Sequence, residues 1–370
     1  MDRRQFVAGL LASALPLTAN ATASCAATEW SEWASASARL ISKEGRVIDR
    51  SDPRVITTSE GQSYALFMAL VDNDRALFRS LLQWTIKHLA RGDLSSHLPA
   101  WIWGRQTDGR WGVLDDNSAS DSDLWIAFCL LEAGRLWRLH EYTSLGTRLL
   151  QIIAKQSAID IPGLGYQLLP APRGFVKPGR WRLNPSYLPP QLLARAKQAQ
   201  PNGVWNKIHD NSLDLLKRVA PRGAAPDWAD WTGSQFDTTA ALCGWGSYDA
   251  IRVYLWVGMM ADDAPGAKVL KNHYRTIARL IRPDGQFPEK IDILTLSSQN
   301  KAPIGFIAAL QPLLIEHEKA GILEQSIKDS ITSELGYYNQ MLMLFGRGWM
   351  EGRYRFNASG QLQTPWSPCN

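Results

Sequence analysis

Cysteine is scarce, with four residues in 370. That excludes a disulfide-framework fold. Cys25, Cys129, Cys243 and Cys369 show no metal-ligand spacing. One disulfide is compatible with an oxidising compartment, but no spacing names the pair. Runs of like charge are absent too. Forty Lys and Arg against 35 Asp and Glu give a formal charge of +5, and the basic residues are scattered. No nucleic-acid stripe or recognition motif is present. No apolar run is long enough to span a bilayer. Strand-like alternation is confined to 45–49 and short pieces near 111–114 and 352–364. No Pro/Gly/Ser linker or low-complexity segment divides the chain.

What remains is abundant tryptophan and helical periodicity. Hydrophobic residues make up 45% of the chain and charged residues 20%, values of a globular protein with a sizeable core. The 16 Trp include many in polar, loop-like surroundings: Trp101, Trp103, Trp111, Trp181, Trp228, Trp231 and Trp245. Aromatic faces there can pack on a core or stack on sugar rings.

The N-terminus, "MDRRQFVAGLLASALPLTANATASCAA", reads as targeting. A charged start precedes an apolar stretch from Phe6 to about Leu17 and Ala-x-Ala cleavage choices, the layout of an export signal. The pair Arg3 and Arg4 resembles a twin-arginine signal, with an ordinary secretory signal as the alternative. "TASC" lacks the Leu of a lipoprotein site. Residues 1–25 are therefore expected to be an export signal and 26–370 one exported catalytic domain, periplasmic or secreted, without stable membrane insertion.

Apolar spacing of three and four predicts helices over 28–42, 60–72, 74–91, 121–139, 141–156, 185–199, 204–220, 247–262, 265–282, 303–318, 321–327 and 332–346. Helices 60–72, 121–133 and 247–260 are apolar nearly all round. Helices 74–91, 141–156 and 265–282 have charged faces. The first kind is buried and the second lies outside. The alternation predicts an all-α fold, an (α/α)6 barrel with six inner and six outer helices and small hairpins in its loops. Consecutive helices run antiparallel, so the inner helices would share one direction and their N-termini would meet at one rim. The long connections 92–120 and 157–184 carry Gly, Pro and Trp and suit a functional role.

Three inner-helix starts carry acids: Glu60 in "TSEGQ", Asp121 and Asp123 in "SASDSD", and Asp249 in "GSYDAIR". Each has a plain structural explanation. Ser59 and Gln62 fit a capping box, and an acid in a first turn complements the helix dipole. Three such starts on the most buried helices favour a shared site instead. Two carboxyls on one rim suit glycoside hydrolysis, one protonated to donate to the leaving oxygen and one ionised to activate water. A helix N-terminus lowers a carboxyl pKa, so Glu60 as the acid needs burial or a second negative charge, for which Asp121 is the candidate. Arg252, three residues after Asp249 on the same face, would keep Asp249 ionised as the base.

The stretches "SEGQSYALF", "SASDSDLWIAFCLLEAGRLW", "LNPSYLPPQLL" and "GSYDAIRVYLW" resemble glycoside hydrolase family 8, nearest its endoglucanases that accompany bacterial cellulose synthases. The likeness runs from about residue 29 to about 346. It departs at Ser122, where the pattern has Ala or Gly, a small-for-small change. The resemblance implies an (α/α)6 barrel and inverting cleavage of β-1,4-glucan, with no cofactor and no catalytic metal. It implies Glu60 as general acid, Asp249 as general base, and Asp121 binding the sugar at the cleavage point. Tyr187 matches a Tyr near the attacking water, Arg252 the Arg beside the base, and Trp101 and Trp103 sugar-stacking residues. Asp123 reads as structural, and His88 and His97 as helix-surface and loop residues. The implied partners are cellulose or cello-oligosaccharides and the cellulose synthase machinery. The rival readings are another glycan (chitosan, xylan or mixed-linkage glucan) and a non-catalytic glycan-binding subunit of a secretion machine.

Overall fold

A computed structural model describes residues 29–240, 242–330 and 335–367. The export-signal reading lies outside them. Twelve α-helices occupy the described residues: α1 (Ser31–Leu40), α2 (Ser59–Val71), α3 (Arg75–His88), α4 (Ser120–Trp137), α5 (His140–Ser157), α6 (Pro190–Ala199), α7 (Trp205–Arg218), α8 (Ala250–Gly258), α9 (Ala267–Tyr274), α10 (Ile304–Leu314), α11 (Ala320–Ser330) and α12 (Tyr337–Met350). None is long and apolar enough to cross a membrane.

The predicted alternation holds. In α2 every residue but Glu60 is buried, and in α4 every residue but Arg135. Every residue of α8 is buried. By contrast, α3 buries a stripe of Phe78, Leu81, Leu82, Trp84 and Thr85, and α7 buries Trp205, Ile208, His209, Ser212, Leu215 and Leu216. Even-numbered helices pack side by side, α2 on α4, α4 on α6, α6 on α8, α8 on α10 and α10 on α12. Tyr64 closes the ring by meeting Phe345 of α12 edge-on at 5.0 Å. Each inner helix has an outer partner, with α1 on α12 and α3, α5, α7, α9 and α11 on α2, α4, α6, α8 and α10. This is an (α/α)6 barrel.

Two glycines let inner helices approach α10. A Cβ on Gly258 would lie 2.4 Å from the Leu313 nitrogen, and one on Gly346 2.1 Å from the Ala308 carbonyl oxygen. Only hydrogen fits at either position.

The two ends of the barrel differ. Inner-to-outer connections are short: 72–74, 138–139, 200–204, 259–266 and 315–319. Outer-to-inner connections are long (41–58, 89–119, 158–189, 219–249 and 281–303) and hold every described strand except one C-terminal hairpin. That hairpin, Arg355–Phe356 with Leu362–Gln363, caps the short-loop end. Tyr354 meets Phe67 at 4.9 Å, Phe356 meets Phe128 at 5.8 Å, and the Trp366 indole donates to the carbonyl of Val71, the last residue of α2. Aromatic rings fill the axis above it, with Phe67 stacked on Phe345 at 5.3 Å and Trp125 against Trp256 at 5.3 Å. With one end plugged and the axis filled, a cleft can open only at the inner-helix N-termini.

Three local expectations need correction. The expected helix over 185–199 is a 3-10 turn, Pro185–Tyr187, followed by α6. Pro189 and Pro190 cause the break, since a proline removes an N–H and disfavours helical backbone before it. The segment 45–49 forms only isolated bridges, Ile41 to Val47 and Asp49 to Ile56. Strands are also more numerous than alternation suggested, including a four-stranded sheet of Val176–Lys177, Arg180–Leu183, Ala229–Trp231 and Phe236–Asp237. Cys129 and Cys243 are buried free thiols, while Cys25 and Cys369 lie outside the described residues.

Candidate active site

The acids at the helix starts do converge. The linking group is the Arg252 guanidinium, which rises from the first turn of α8 and is buried. Its Nη2 donates to Asp249 Oδ1 at 2.5 Å. Its Nη1 lies 2.5 Å from Glu60 Oε2, 3.2 Å from Asp121 Oδ2 and 3.2 Å from the Tyr64 hydroxyl. Three helices, α2, α4 and α8, thus present carboxyls to one cation. Glu60 and Asp249, 189 positions apart in sequence by their numbers, sit at the same mouth on adjacent nitrogens of one side chain. Their side chains keep 22% and 29% of their surface in water, against 5% for Asp121 and 3% for Arg252. The first pair can be reached by a substrate; the other two hold the floor.

One positive charge facing three carboxyls leaves an excess of negative charge in a poorly hydrated place. A proton is the remedy. Burial pushes Glu60 up to about 7 against the pull of Arg252, and the charges of Asp121 and Asp249 add to the rise. Burial likewise raises Asp121, opposed by Arg252 and by the Ser122 N–H and hydroxyl. From the sequence, Arg252 is expected to separate an ionised Asp249 from a protonated Glu60. In the structure Arg252 touches both, so it does not divide the roles by itself. Burial beside further carboxylates is what sets Glu60 apart.

The local details differ from the capping-box expectation. Thr58, not Ser59, caps α2, its hydroxyl accepting from Gly61 N at 3.0 Å. Gln62 turns away from the cap. Its Oε1 accepts from Val47 N at 2.7 Å, and its Nε2 donates to the Gly45 carbonyl and the Thr85 hydroxyl. Glu60 is therefore not engaged in capping, and its Oε1 accepts from the Tyr337 hydroxyl at 3.2 Å. Asp123 points into the protein, fully buried, and burial holds its carboxyl well above the usual range with Ser118 beside it. It makes no bond to Arg252, though the charge of Asp121 adds to its rise.

Tyr187 is brought in by the 3-10 turn, which Asn184 caps through Ser186 N at 3.0 Å. Its ring lies 5.6 Å from the Arg252 guanidinium carbon. Trp101 stands at the rim. Its carbonyl accepts from Ser59 N at 3.0 Å, its indole hydrogen-bonds Asp115 and helps hold that carboxyl low, and 37% of the residue is exposed. Trp103 is less open, stacked on Trp111 at 5.3 Å with the edge of Trp84 at 5.4 Å. His88 is not a plain surface residue, since it stacks on Trp84 at 4.7 Å. A separate cavity of about 790 Å³ is lined by Trp30, Arg39, Leu335, Met343 and Arg347, and none of the clustered carboxyls lines it.

Sequence reasoning missed four groups. Tyr64 was legible, being four residues after Glu60 on the same helical face. Tyr337 begins α12, and Tyr338 beside it donates to the Tyr248 carbonyl at 2.5 Å. Asp227 lies in a loop without periodicity. Its Oδ1 accepts three backbone N–H groups from the turn leading into α8: Ser247 at 2.8 Å, Asp249 at 3.1 Å and Ala250 at 2.9 Å. Burial raises its carboxyl to about 6, and Asp249 adds to the rise.

The chain is also similar to known proteins. The family model of Glycosyl hydrolases family 8 matches residues 4–352. An endoglucanase of Escherichia coli (strain K12) is 44% identical over 344 residues, 92% of either chain. One of Xanthomonas axonopodis pv. citri is 44% identical over 99% of this chain and 98% of its own. The crystal structure of an endo-1,4-D-glucanase from Vibrio fischeri ES114 superposes with a TM-score of 0.87 at 46% identity, covering 91% of this chain and 99% of that one.

Proposed function

This chain belongs to glycosyl hydrolases family 8, a family of glycoside hydrolases, and on that premise we propose that it is an endo-β-1,4-glucanase that cleaves internal bonds of cellulose with inversion. Glu60 protonates the glycosidic oxygen. Asp249 takes a proton from a water that attacks the anomeric carbon from the opposite face. Asp121 binds the sugar at the cleavage point, Tyr187 and Arg252 line the water's position, and the Trp101 ring stacks on a neighbouring sugar. The observation that carries this reading is the shared guanidinium. It brings two solvent-reachable carboxyls to one mouth on adjacent nitrogens of one side chain, where one can protonate the leaving oxygen while the other activates water. The leader-like start "MDRRQFVAGLLASALPL" supports export to the periplasm or beyond. Together with the resemblance to synthase-associated endoglucanases, it supports action on cellulose during or after its secretion.

Two measurements test the chemistry. Proton NMR of fresh product from a β-1,4-glucan is expected to show the α anomer first; initial β anomer overturns inversion. A reducing-sugar panel is expected to rank carboxymethyl cellulose above chitosan, xylan and mixed-linkage glucan, and a different order reassigns the glycan.

Asp227 gives a separate expectation. It holds the turn that carries the base, so its loss should misplace Asp249 rather than remove a reacting group. Asp227→Ala is expected to lower kcat on the order of 10²-fold with KM little changed, the cost of a displacement near 1 Å. Asp227→Asn keeps an acceptor oxygen for the same N–H groups and should recover most of the rate. Equal losses in both variants, or a loss confined to KM, would exclude the positioning role.

A further inference from the structure

We propose that Trp111, backed by Trp103, forms a distal glucan-binding platform beyond the catalytic cluster that favours long chains over short oligosaccharides. The inference rests on the glucanase reading and adds a second place where the polymer is held.

The platform is built on the hairpin of Ile102–Arg105 and Trp111–Asp115. Trp103 pairs with Val113, and Trp111 with Arg105. Trp103 and Trp111 are therefore diagonal neighbours on one face, and their rings lie 5.3 Å apart at 15°. A diagonal aromatic pair can serve only to stabilise its hairpin, and that is the plainer reading. Three observations go beyond it. First, Trp111 keeps 49% of its surface in water, more than any other exposed Trp among the described residues. Half-exposure is what remains when one face of an indole is covered and the other is free.

Second, the pair is braced by its neighbours. Trp84 meets Trp103 edge-on at 5.4 Å, and His88 at 5.9 Å. The Arg46 guanidinium lies 4.5 Å from the Trp103 ring centre and 4.8 Å from that of Trp111. Arg46 is itself fixed by the Thr57 hydroxyl at 2.8 Å and the Val55 carbonyl. A ring held this way loses little freedom when a ligand lands on it.

Third, the hairpin grows out of the cleft. Thr57 pairs with Trp103 and Thr58 with Ile102, and Ser59 N donates to the Trp101 carbonyl. Glu60 is the next residue. Continuing that register, Trp111 stands opposite Arg105, a backbone advance of two residues beyond Trp103, roughly 7 Å along the strand at 3.3 Å per residue. Trp101, just before the hairpin, and Trp103 and Trp111 on it thus lead outward from the acid. A β-1,4-glucan is a ribbon of sugar rings with apolar faces. Laid over Trp101, it reaches the Trp111 face only if it extends several units beyond the scissile bond.

The test is length dependence. Trp111→Ala is expected to lower kcat/KM on carboxymethyl cellulose and the longest soluble cello-oligosaccharides by about five- to tenfold, the loss of one aromatic stacking contact. The shortest oligosaccharides cleaved should lose clearly less, and Trp111→Tyr should restore the long-to-short ratio. A second arm needs no cleavage. In native gels containing hydroxyethyl cellulose, Glu60→Gln protein should be retarded, and the Glu60→Gln, Trp111→Ala double variant should run faster. An equal loss at every length means that the hairpin was merely damaged, and no loss at any length means that the ring binds nothing; either overturns the platform. Wild type that neither cuts nor is retarded by any β-1,4-glucan sinks the glucanase reading, and the platform falls with it. Wild type that cuts while Trp111→Ala matches it in both arms sinks the platform alone.

Discussion

Glu60→Gln is expected to lower kcat on carboxymethyl cellulose on the order of 10³-fold, the scale of a lost general acid, with the fold intact. Gln keeps the shape and can still meet Arg252 and Tyr337, but it has no proton to give. The leaving group provides a control. An aryl cellobioside with an acidic phenol departs without help, so the variant should lose far less on it than on cellulose. Asp249→Asn should lose similarly on both, because water must be activated in either case. The wild-type pH profile carries the same signature. With Glu60 raised to about 7, kcat/KM should fall as the pH rises through that value, and the fall should weaken with the activated aryl substrate. Stability provides an independent reading. An unfolded glutamate titrates near 4.5 and native Glu60 near 7. Between these values the native state holds the extra proton, so this group's contribution is fully present below 4.5 and is lost as the pH rises through 7. Glu60→Gln removes that dependence. Thermal melts of the variant should therefore gain on wild type at pH 8 relative to pH 4. A variant that melts earlier at pH 8 and loses equally on all substrates would point to a damaged cleft, not a missing acid.

The sequence made the barrel readable because burial and period act together. Residues such as those of α2 and α4 are apolar all round, and only an interior helix can bury every side. The rim followed from direction alone, since antiparallel neighbours force inner helices to share a polarity, and Glu60, Asp121 and Asp249 lie at their starts. The i, i+3 relation also placed Arg252 beside Asp249 correctly. What the pattern could not carry was anything set by the long loops. Asp227 reaches α8 from 22 residues before Asp249, with no periodicity to announce it. Two- and three-residue strands such as Phe236–Asp237 are shorter than an alternation needs to be seen. Rings fared similarly. Trp101 and Trp103 look alike as neighbours in "AWIWG", yet one opens to solvent while the other is covered by Trp111 from the paired strand and by Trp84, contacts that no local pattern announces. The cap of α2 slipped by one residue, since Thr58 and Ser59 are chemically equivalent candidates and only tertiary contacts of Gln62 distinguish them.

A second large effect is expected far from the carboxyl cluster. Glu132 lies on α4 with no exposed surface. Its Oε1 accepts from Arg195 Nε of α6 at 2.5 Å, and its Oε2 from Arg135 Nε at 2.9 Å and from Leu362 N at 2.8 Å. Arg135 Nη2 closes the loop by donating to the Leu362 carbonyl at 2.5 Å. One carboxylate therefore joins two inner helices to the C-terminal hairpin that plugs the barrel. Glu132→Leu removes it while leaving Arg195, itself 9% exposed along its side chain, as a buried charge without that partner and Leu362 N without an acceptor. The expected cost is about 3–5 kcal/mol in denaturant unfolding, the range for breaking a buried pair from one side. Because the residue touches nothing at the rim, kcat of the protein that remains folded should stay near wild type. Replacing both partners separates charge burial from packing. Glu132→Leu with Arg195→Met leaves no orphaned charge at α6 and should recover part of the loss. If the double variant is instead as unstable as the sum of the two single ones, the clasp works through shape alone, and the plug is held by its aromatic contacts with Phe67 and Phe128.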